Sequence, residues 1–293
     1  MSTLREPAVA GQFYPASPAR LRADVTDLLA QAEPAVPAQG SRVQALIVPH
    51  AGYVYSGLTA AKAFALARQG KYRRALVIAP SHRTAFSGLA AADFTAYRTP
   101  LGEMPVDHQA QAEIVSAAGS AVRPLPRAHL GEHALEVELP FLQVLFPALP
   151  IVPLICGQLD VANLATLARA LAPLWTPETL WVISSDFTHY GAQFGYLPFV
   201  SKVKENLAVL DGGAIDRILA LDEPGLAAYL AETGATICGA NPIRLLLAVA
   251  AARAADGDPV ESRLVDYTTS GELTGDWDHC VSYAGIAFSR QDG

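Results

Sequence analysis

Four polar side chains follow apolar segments at the points where those segments end. They are His50, His82, Asp186 and His189. Imidazoles and carboxylates bind transition metals, and they are also the groups that most often transfer protons in enzymes. Any one of them alone is more often a hydrogen-bonded loop residue than a ligand. Because all four stand at equivalent places after β-type segments, the pattern favours one shared site.

Cys238 adds a sulfur donor to this set. It precedes Pro242, a residue typical of the first turn of a helix, and helix N-termini favour the thiolate form of cysteine. A thiolate binds metal or acts as a nucleophile, but many free cysteines are simply buried structural residues. All three alternatives stay open for Cys238. Cys156 is interpreted as a packing residue, and the adjacent pair His279-Cys280 is a weak motif because neighbours on a strand face opposite ways.

Asp186 and His189 are three residues apart, a spacing that suits a proton-transferring imidazole beside an orienting carboxylate. An aspartate that caps a short turn explains Asp186 equally well. The pair Glu132-His133 is either support for a site or the polar start of a helix. The two histidines expected at the surface are His108 and His129.

Segments of β-type and helical character alternate along the chain. The expected strands are 43–48, 74–79, 151–155, 180–183, 263–268 and 281–288, with a hairpin arm at 88–97. The expected helices begin at Ser17-Pro18, at 58, at 107 and at 160, with another over 201–230 that breaks at Gly212-Gly213 and Pro224, and a last one ending near 254. This alternation predicts a three-layer α/β sandwich, with a mainly parallel central sheet and helices on both faces. The last strands are expected to pair antiparallel at an edge. Residues 1–293 are expected to form a single domain.

Composition narrows the classes of function. Hydrophobic residues make up 51% of the chain and charged residues 17%, as in a globular protein. The net charge of −7, without a basic cluster, argues against nucleic-acid partners. No apolar run reaches the ~18 residues of a membrane span, and the N-terminus lacks the apolar core of a signal peptide, so a cytoplasmic protein is expected. Motifs for dinucleotides, for ATP and for α/β-hydrolase chemistry are absent.

Seven segments, in order and over nearly the whole chain, resemble those of the Memo family. They are Arg5-Glu-Pro-Ala-Val-Ala-Gly-Gln-Phe-Tyr-Pro, Val48-Pro-His-Ala-Gly-Tyr-Val-Tyr-Ser-Gly, Pro80-Ser-His-Arg, Glu132-His-Ala-Leu-Glu-Val-Glu-Leu-Pro-Phe-Leu, Ser185-Asp-Phe-Thr-His-Tyr-Gly, Cys238-Gly-Ala-Asn-Pro and Tyr267-Thr-Thr-Ser-Gly-Glu-Leu-Thr-Gly-Asp. Prokaryotic members of this family are named AmmeMemoRadiSam system protein B. Eukaryotic members are named mediators of ErbB2-driven cell motility.

The resemblance implies a fold related to that of class III extradiol dioxygenases, which hold non-haem Fe(II) with two histidines and a carboxylate. The implied metal ligands are His50, His82 and Cys238, the last standing where the dioxygenases have glutamate. The implied catalytic residues are Asp186 and His189, with His189 transferring the proton. The implied substrate-binding residues are Tyr53 and His133. A thiolate in place of a carboxylate changes the metal's electronic properties and is itself oxidisable.

The same resemblance implies a metal-binding redox protein that uses Fe(II) or copper, and we expect a dioxygenase-like oxidoreductase with an unidentified small-molecule or peptide substrate. The alternative is a non-catalytic module that carries metal or binds a peptide in the same cleft. A third hypothesis is a cysteine-dependent transferase or hydrolase that uses Cys238. The name of the prokaryotic group also implies association with a radical-SAM protein and an AMMECR1-like protein.

Overall fold

The computed structural model describes residues 4–32 and 41–291. Its strands are β1 Leu4–Arg5, β2 Ser41–Val48, β3 Arg74–Pro80, β4 Leu89–Ala91, β5 Ala96–Thr99, β6 Gly102–Pro105, β7 Val122–Pro124, β8 Ile151–Cys156, β9 Thr179–Ser184, β10 His189–Tyr190, β11 Val260–Thr269 and β12 Cys280–Gln291. Its helices are α1 Pro18–Gln31, α2 Tyr53–Ala67, α3 His108–Ala118, α4 Pro126–Leu130, α5 Leu139–Leu145, α6 Val161–Leu171, α7 Val203–Leu219, α8 Glu223–Thr233, α9 Ala240–Ala255 and α10 Ser270–Thr274. Within these described ranges, no helix is both long enough and apolar enough to cross a membrane.

The central sheet has a parallel middle and antiparallel borders. Strands β2, β9, β3 and β8 lie side by side in that order and run parallel. On one side β12 pairs antiparallel with β2 and with β11, and on the other β4 pairs antiparallel with β8. The predicted α/β fold is therefore confirmed, as is the antiparallel pairing of the last two long strands. Because β2, β9 and β3 are parallel neighbours, the residues that follow them leave the sheet at one edge.

Helices cover both faces of this sheet, and the strand sequences show why. Alternate residues of a strand face opposite sides, so a strand that is buried on both sides is apolar throughout. Leu46 and Val77 pack in a core with α1, α2 and α5. Ile47 and Leu76 pack in a second core with α3, α6 and α9. The three predicted layers are these two groups of helices and the sheet between them.

Side-chain caps set several helix starts as predicted. The side chains of Ser17, Asp107 and Asp160 each accept a hydrogen bond from a backbone N–H in the first turn of α1, α3 and α6. The predicted start of the next helix at residue 58 is wrong, because α2 begins at Tyr53. Its first N–H donates to the carbonyl of Phe13 at 2.8 Å, so a distant segment satisfies a group that a local cap would otherwise satisfy.

Two other predicted elements are wrong. Residues 88–97 do not form one hairpin arm, since β4 joins the central sheet while β5 pairs with β1 and β6 in a separate three-stranded sheet. The Gly212-Gly213 pair does not break α7. A side chain at Gly213 would meet the ring of Tyr229 from α8, whose hydroxyl donates to the Leu210 carbonyl at 2.8 Å. This glycine therefore serves the close approach of two helices.

Candidate metal centre

The carboxyl edge of the parallel strands brings the predicted residues together. His50 follows β2, His82 follows β3 and Asp186 follows β9, and these strands are neighbours. Cys238 reaches the same edge from the segment that enters α9. His50 is 1% exposed, whereas His82 and Cys238 retain access to solvent. The residues that share a site therefore come from positions far apart in the sequence.

Three donor atoms in this group have the spacing of ligands to one ion. One atom each from His50, His82 and Cys238 lies within 4.8 Å of the others. His50 Nε2 is 3.4 Å from Cys238 Sγ. Nitrogen and sulfur ligands bound at tetrahedral angles to one ion of zinc's size stand about 3.5 Å apart. The residues present therefore fit a transition-metal ion held by two imidazoles and one sulfur.

Glu132 orients His82. Its carboxylate accepts a hydrogen bond from the His82 backbone N–H at 2.7 Å and contacts His82 Nδ1 at 2.8 Å. Burial acts to raise the pKa of Glu132, but the hydrogen bonds and charge of His82 outweigh it and lower the pKa to about 2. The carboxylate therefore holds the Nδ1 proton, which leaves Nε2 of His82 free as a ligand. A carboxylate behind a metal-binding imidazole is a common arrangement.

Glu132 also belongs to a second group of possible ligands, together with His82 and His133, whose donor atoms lie within 4.8 Å of one another. The Glu132 oxygens already accept from the backbone N–H groups of His82 and Ala134, in addition to the His82 ring contact. If Glu132 coordinated an ion, those hydrogen bonds would be lost. We therefore interpret Glu132 as a residue that supports the cluster of His50, His82 and Cys238.

Ser184 and Glu138 orient His50. Ser184 Oγ lies 2.7 Å from His50 Nδ1, 2.7 Å from the Ala134 carbonyl and 2.8 Å from Glu138 Oε1. Burial raises the pKa of Glu138 well above its usual value, so its carboxyl is neutral and donates to Ser184. Ser184 then donates to Ala134 and accepts from His50 Nδ1–H, which leaves Glu138 Oε2 as the one atom of these side chains without a partner among the described residues. His50 is thereby fixed as the tautomer that presents Nε2 to Cys238.

A buried ion pair anchors the segment that carries Glu132 and Glu138. The guanidinium of Arg5 pairs with the carboxylate of Glu136, and both side chains are fully buried. Glu136 also accepts hydrogen bonds from Tyr14 and from two backbone N–H groups of residues 8 and 9. The N-terminal segment therefore holds in place the turn that positions both histidines.

Cys238 reaches the cluster because Gly239 allows a close approach. A Cβ at Gly239 would lie 2.8 Å from the Ser184 carbonyl oxygen and would clash with Ser185. Cys238 Sγ accepts a hydrogen bond from the Asp186 backbone N–H at 3.2 Å. The expectation that a helix start lowers the pKa of this thiol is wrong, because burial, followed by the Asp186 carboxylate, raises it well above the usual value. The proton therefore stays on sulfur until a cation replaces it.

Asp186 and His189 lie beside the cluster but not as a hydrogen-bonded pair. Asp186 Oδ1 accepts from the His50 backbone N–H at 2.8 Å, and its Oδ2 is 4.0 Å from His50 Nε2. Burial raises the pKa of Asp186. His189 Nδ1 faces the carbonyls of Phe187 at 3.0 Å and Thr236 at 3.2 Å. Backbone carbonyls therefore orient His189, and they place the Nδ1 proton so that Nε2 is the basic nitrogen.

The two residues expected to bind substrate occupy different positions. The ring of His133 stacks on His82 at 4.9 Å and meets His50 edge-on at 5.4 Å, so it forms one wall of the cluster. Burial, followed by the charge of His50, lowers the pKa of His133 to about 4. Tyr53 is buried, and its hydroxyl donates to the Val137 carbonyl at 2.8 Å. Tyr53 therefore stabilises the turn before α5 through this hydrogen bond.

A cleft of about 330 Å³ opens beside the cluster, with His82 and Cys238 in its wall. Arg83, Gln158 and Asn241 contribute polar side chains to the same wall. Its volume is at the lower end of the range for small-molecule sites. The cluster is therefore accessible from one side and enclosed by protein on the other.

Ser184 and Glu138 lie outside the set of site residues that the sequence predicts. A serine at the end of an apolar strand and a glutamate between Val137 and Leu139 are the signals that mark them. His129, expected at the surface, is 1% exposed and hydrogen-bonds to Tyr97 and the Ala90 carbonyl, so that expectation is wrong. His108 is exposed as expected.

The fold and this group of donors define an α/β protein with a candidate metal-binding site at the carboxyl edge of its sheet. A family model described as Memo-like protein matches residues 5–287, and the chain belongs to the Memo family. Over 97% of its length it is 33% identical to the protein memo-1 homolog of Caenorhabditis elegans, covering 82% of that protein. It is 34% identical to a MEMO1 family protein of Archaeoglobus fulgidus and 32% identical to protein MEMO1 of Xenopus laevis. It covers 99% and 96% of those two proteins, in each case with 97% of its own length.

Proposed function

We propose that this chain is a redox protein that binds Fe(II) or copper and acts as an oxidoreductase on an unidentified substrate. The observation that carries the proposal is the cluster of one donor atom each from His50, His82 and Cys238 within 4.8 Å. Both imidazoles have their Nδ1 atoms occupied by supporting residues, so both offer Nε2 to a common point. Hydrogen bonds that fix the ring orientation of each ligating histidine are typical of metal-binding sites.

The chain's own residues supply binding and proton transfer around such an ion, and the ion when bound supplies the redox chemistry. A substrate in the cleft would contact His82 and Cys238, and His133 would support it only indirectly, through its ring stacked on His82. His189 would accept a proton at Nε2, since its Nδ1 proton is held by backbone carbonyls. Asp186 would take part as a buried acid whose pKa is raised by its surroundings.

Metal analysis tests this proposal directly. Protein purified without oxygen is expected to bind iron or copper stoichiometrically, and His50→Ala is expected to abolish the binding. His108→Ala is the matched control, because it removes an exposed imidazole that lies outside the cluster. Circular dichroism of both variants reports whether the fold is retained. Wild-type protein that binds neither metal, or a folded His50→Ala variant with undiminished affinity, would refute the proposal.

A second candidate function is a module that holds metal or binds a peptide in the same cleft without turnover. The observation in its favour is the thiol at the third position, because sulfur donors suit the storage of Cu(I). A product screen under oxygen separates the two functions. Steady-state product formation that is lost in His189→Ala supports the oxidoreductase, whereas stoichiometric metal binding without any product supports the carrier.

A further inference from the structure

The charge of the cleft differs from that of the whole chain. The chain has 28 acidic against 21 basic residues. Among the described residues that line the cleft, none is Asp or Glu, and Arg83 supplies a permanent positive charge. The nearby carboxylate Glu132 lies behind His82 and is fully engaged there. A cleft of this kind disfavours cationic ligands and favours anionic ones.

The Arg83 guanidinium is unpaired among the described residues. It makes no ion pair or hydrogen bond with any residue in the described parts of the chain, and Arg83 is exposed. Several other arginines are paired: Arg244 with Glu223 at 2.6 Å, and Arg98 with Glu6 at 2.7 Å. Five donors are therefore available at the cleft without the cost of breaking an existing bond.

The carbon chain of Arg83 lies against Gly131. A Cβ added at Gly131, the residue that follows α4, would lie 3.2 Å from Arg83 Cδ and 3.6 Å from Nε. The side chain thus packs over a glycine that leaves it space. Arg83 directly follows His82 in the sequence, and both residues line the cleft. Gln158 and Asn241 line the same cleft, and the Asn241 amide donates to the Gly157 carbonyl at 3.1 Å.

We propose that the cleft takes a small molecule with a carboxylate or phosphate group, which Arg83 binds while the rest of the ligand extends towards His82 and Cys238. The cleft of about 330 Å³ suits a molecule with a single ring and short substituents. This inference deepens the proposed function and rests on it for the reaction, but anion binding itself can be measured in the metal-free protein. Arg83 is thus a residue that determines substrate class.

Benzoate, phenyl phosphate and benzyl alcohol are suitable probes because they share a ring and differ in charge. Their dissociation constants would be measured by NMR titration of metal-free protein at low salt. Benzoate or phenyl phosphate should bind more tightly than benzyl alcohol. Arg83→Gln should raise the dissociation constant of that anion at least about tenfold, because the variant loses a hydrogen bond from a charged group. Arg22→Gln, which removes an exposed arginine of α1, is the matched control and should change nothing. The tighter of the two anions identifies the group that is recognised.

A second variant tests the packing argument. Gly131→Ala should weaken anion binding when Arg83 is present and have no further effect in Arg83→Gln. Equal affinity for benzyl alcohol and both anions, or anion binding that Arg83→Gln leaves unchanged, would overturn the inference. Metal binding is measured in parallel on the same samples. If metal binding is intact but anion selectivity is missing, this inference fails alone, whereas anion selectivity without metal binding refutes only the proposed redox function.

Discussion

Replacement of Glu138 by glutamine should stabilise the protein, and the gain should grow with pH. Glu138 is fully buried, its Oε1 contacts Ser184 Oγ at 2.8 Å, and its Oε2 has no partner among the described residues. Burial raises the pKa of this carboxyl well above the 4.5 that it has in an unfolded chain. A glutamine amide has nearly the same shape and keeps an N–H donor for Ser184.

The sign of the effect follows from proton linkage. Because the folded-state pKa is raised, the folded protein keeps a proton that the unfolded chain releases above pH 4.5. The contribution of Glu138 to stability is therefore complete below that pH and is lost as the pH rises towards the folded-state pKa. The loss amounts to about 1.4 kcal/mol per pH unit within this window. Glutamine does not titrate, so the free energy of unfolding of Glu138→Gln should rise relative to that of the wild type at the same rate.

Urea unfolding of metal-free wild type and Glu138→Gln between about pH 5 and pH 8 measures this difference. All other titrating groups are shared by the two proteins, so their contributions cancel. A difference that stays constant over the range would show that Glu138 is ionised in the folded protein. In that case the proposed direction of the hydrogen bonds from Glu138 through Ser184 to His50 would be wrong.

Three other substitutions have distinct expected outcomes. Glu136→Gln should destabilise the protein by roughly 3–5 kcal/mol in urea unfolding, because it leaves the fully buried Arg5 without its carboxylate; a loss below about 1 kcal/mol would contradict the buried ion pair. Glu132→Gln should lower metal affinity about 10–100-fold in a chelator competition, since the amide holds His82 less firmly. Gly239→Ala should lower metal affinity at least about tenfold in the same assay, because the added Cβ clashes with the end of β9, and unchanged affinity would argue against the thiol as a ligand.

The sequence predicts the site residues at the strand ends better than it predicts the buried residues that orient them. His50, His82 and Asp186 are recognisable because each interrupts an apolar pattern at the end of a strand, where a parallel sheet brings such residues together. Ser184 and Glu138 act through burial and through contacts across 46 residues of sequence, which periodicity does not reveal. The family resemblance supplies the expected ligand set but not the hydrogen bonds that orient it.

The wrong predictions of helix boundaries and of the Cys238 thiol also come from contacts between distant segments. Helix α2 begins early because the Phe13 carbonyl satisfies its first N–H, and α7 continues through two glycines because Tyr229 packs over one of them. The thiol of Cys238 is protonated because dehydration outweighs the effect of a helix start. In each case a contact from a distant segment overrides a correct local preference.

The strand order has a consequence for when the site can exist. Strand β9 lies between β2 and β3, although it is made long after both, and the contact of His50 with Cys238 joins residues 188 positions apart. During synthesis His50 and His82 therefore emerge before Cys238, and β2 and β3 emerge before β9, the strand that lies between them. The complete set of donors forms only after β9 has inserted and α9 has docked. Under the proposed function, selection among metal ions would thus be a property of the finished protein and not of the growing chain.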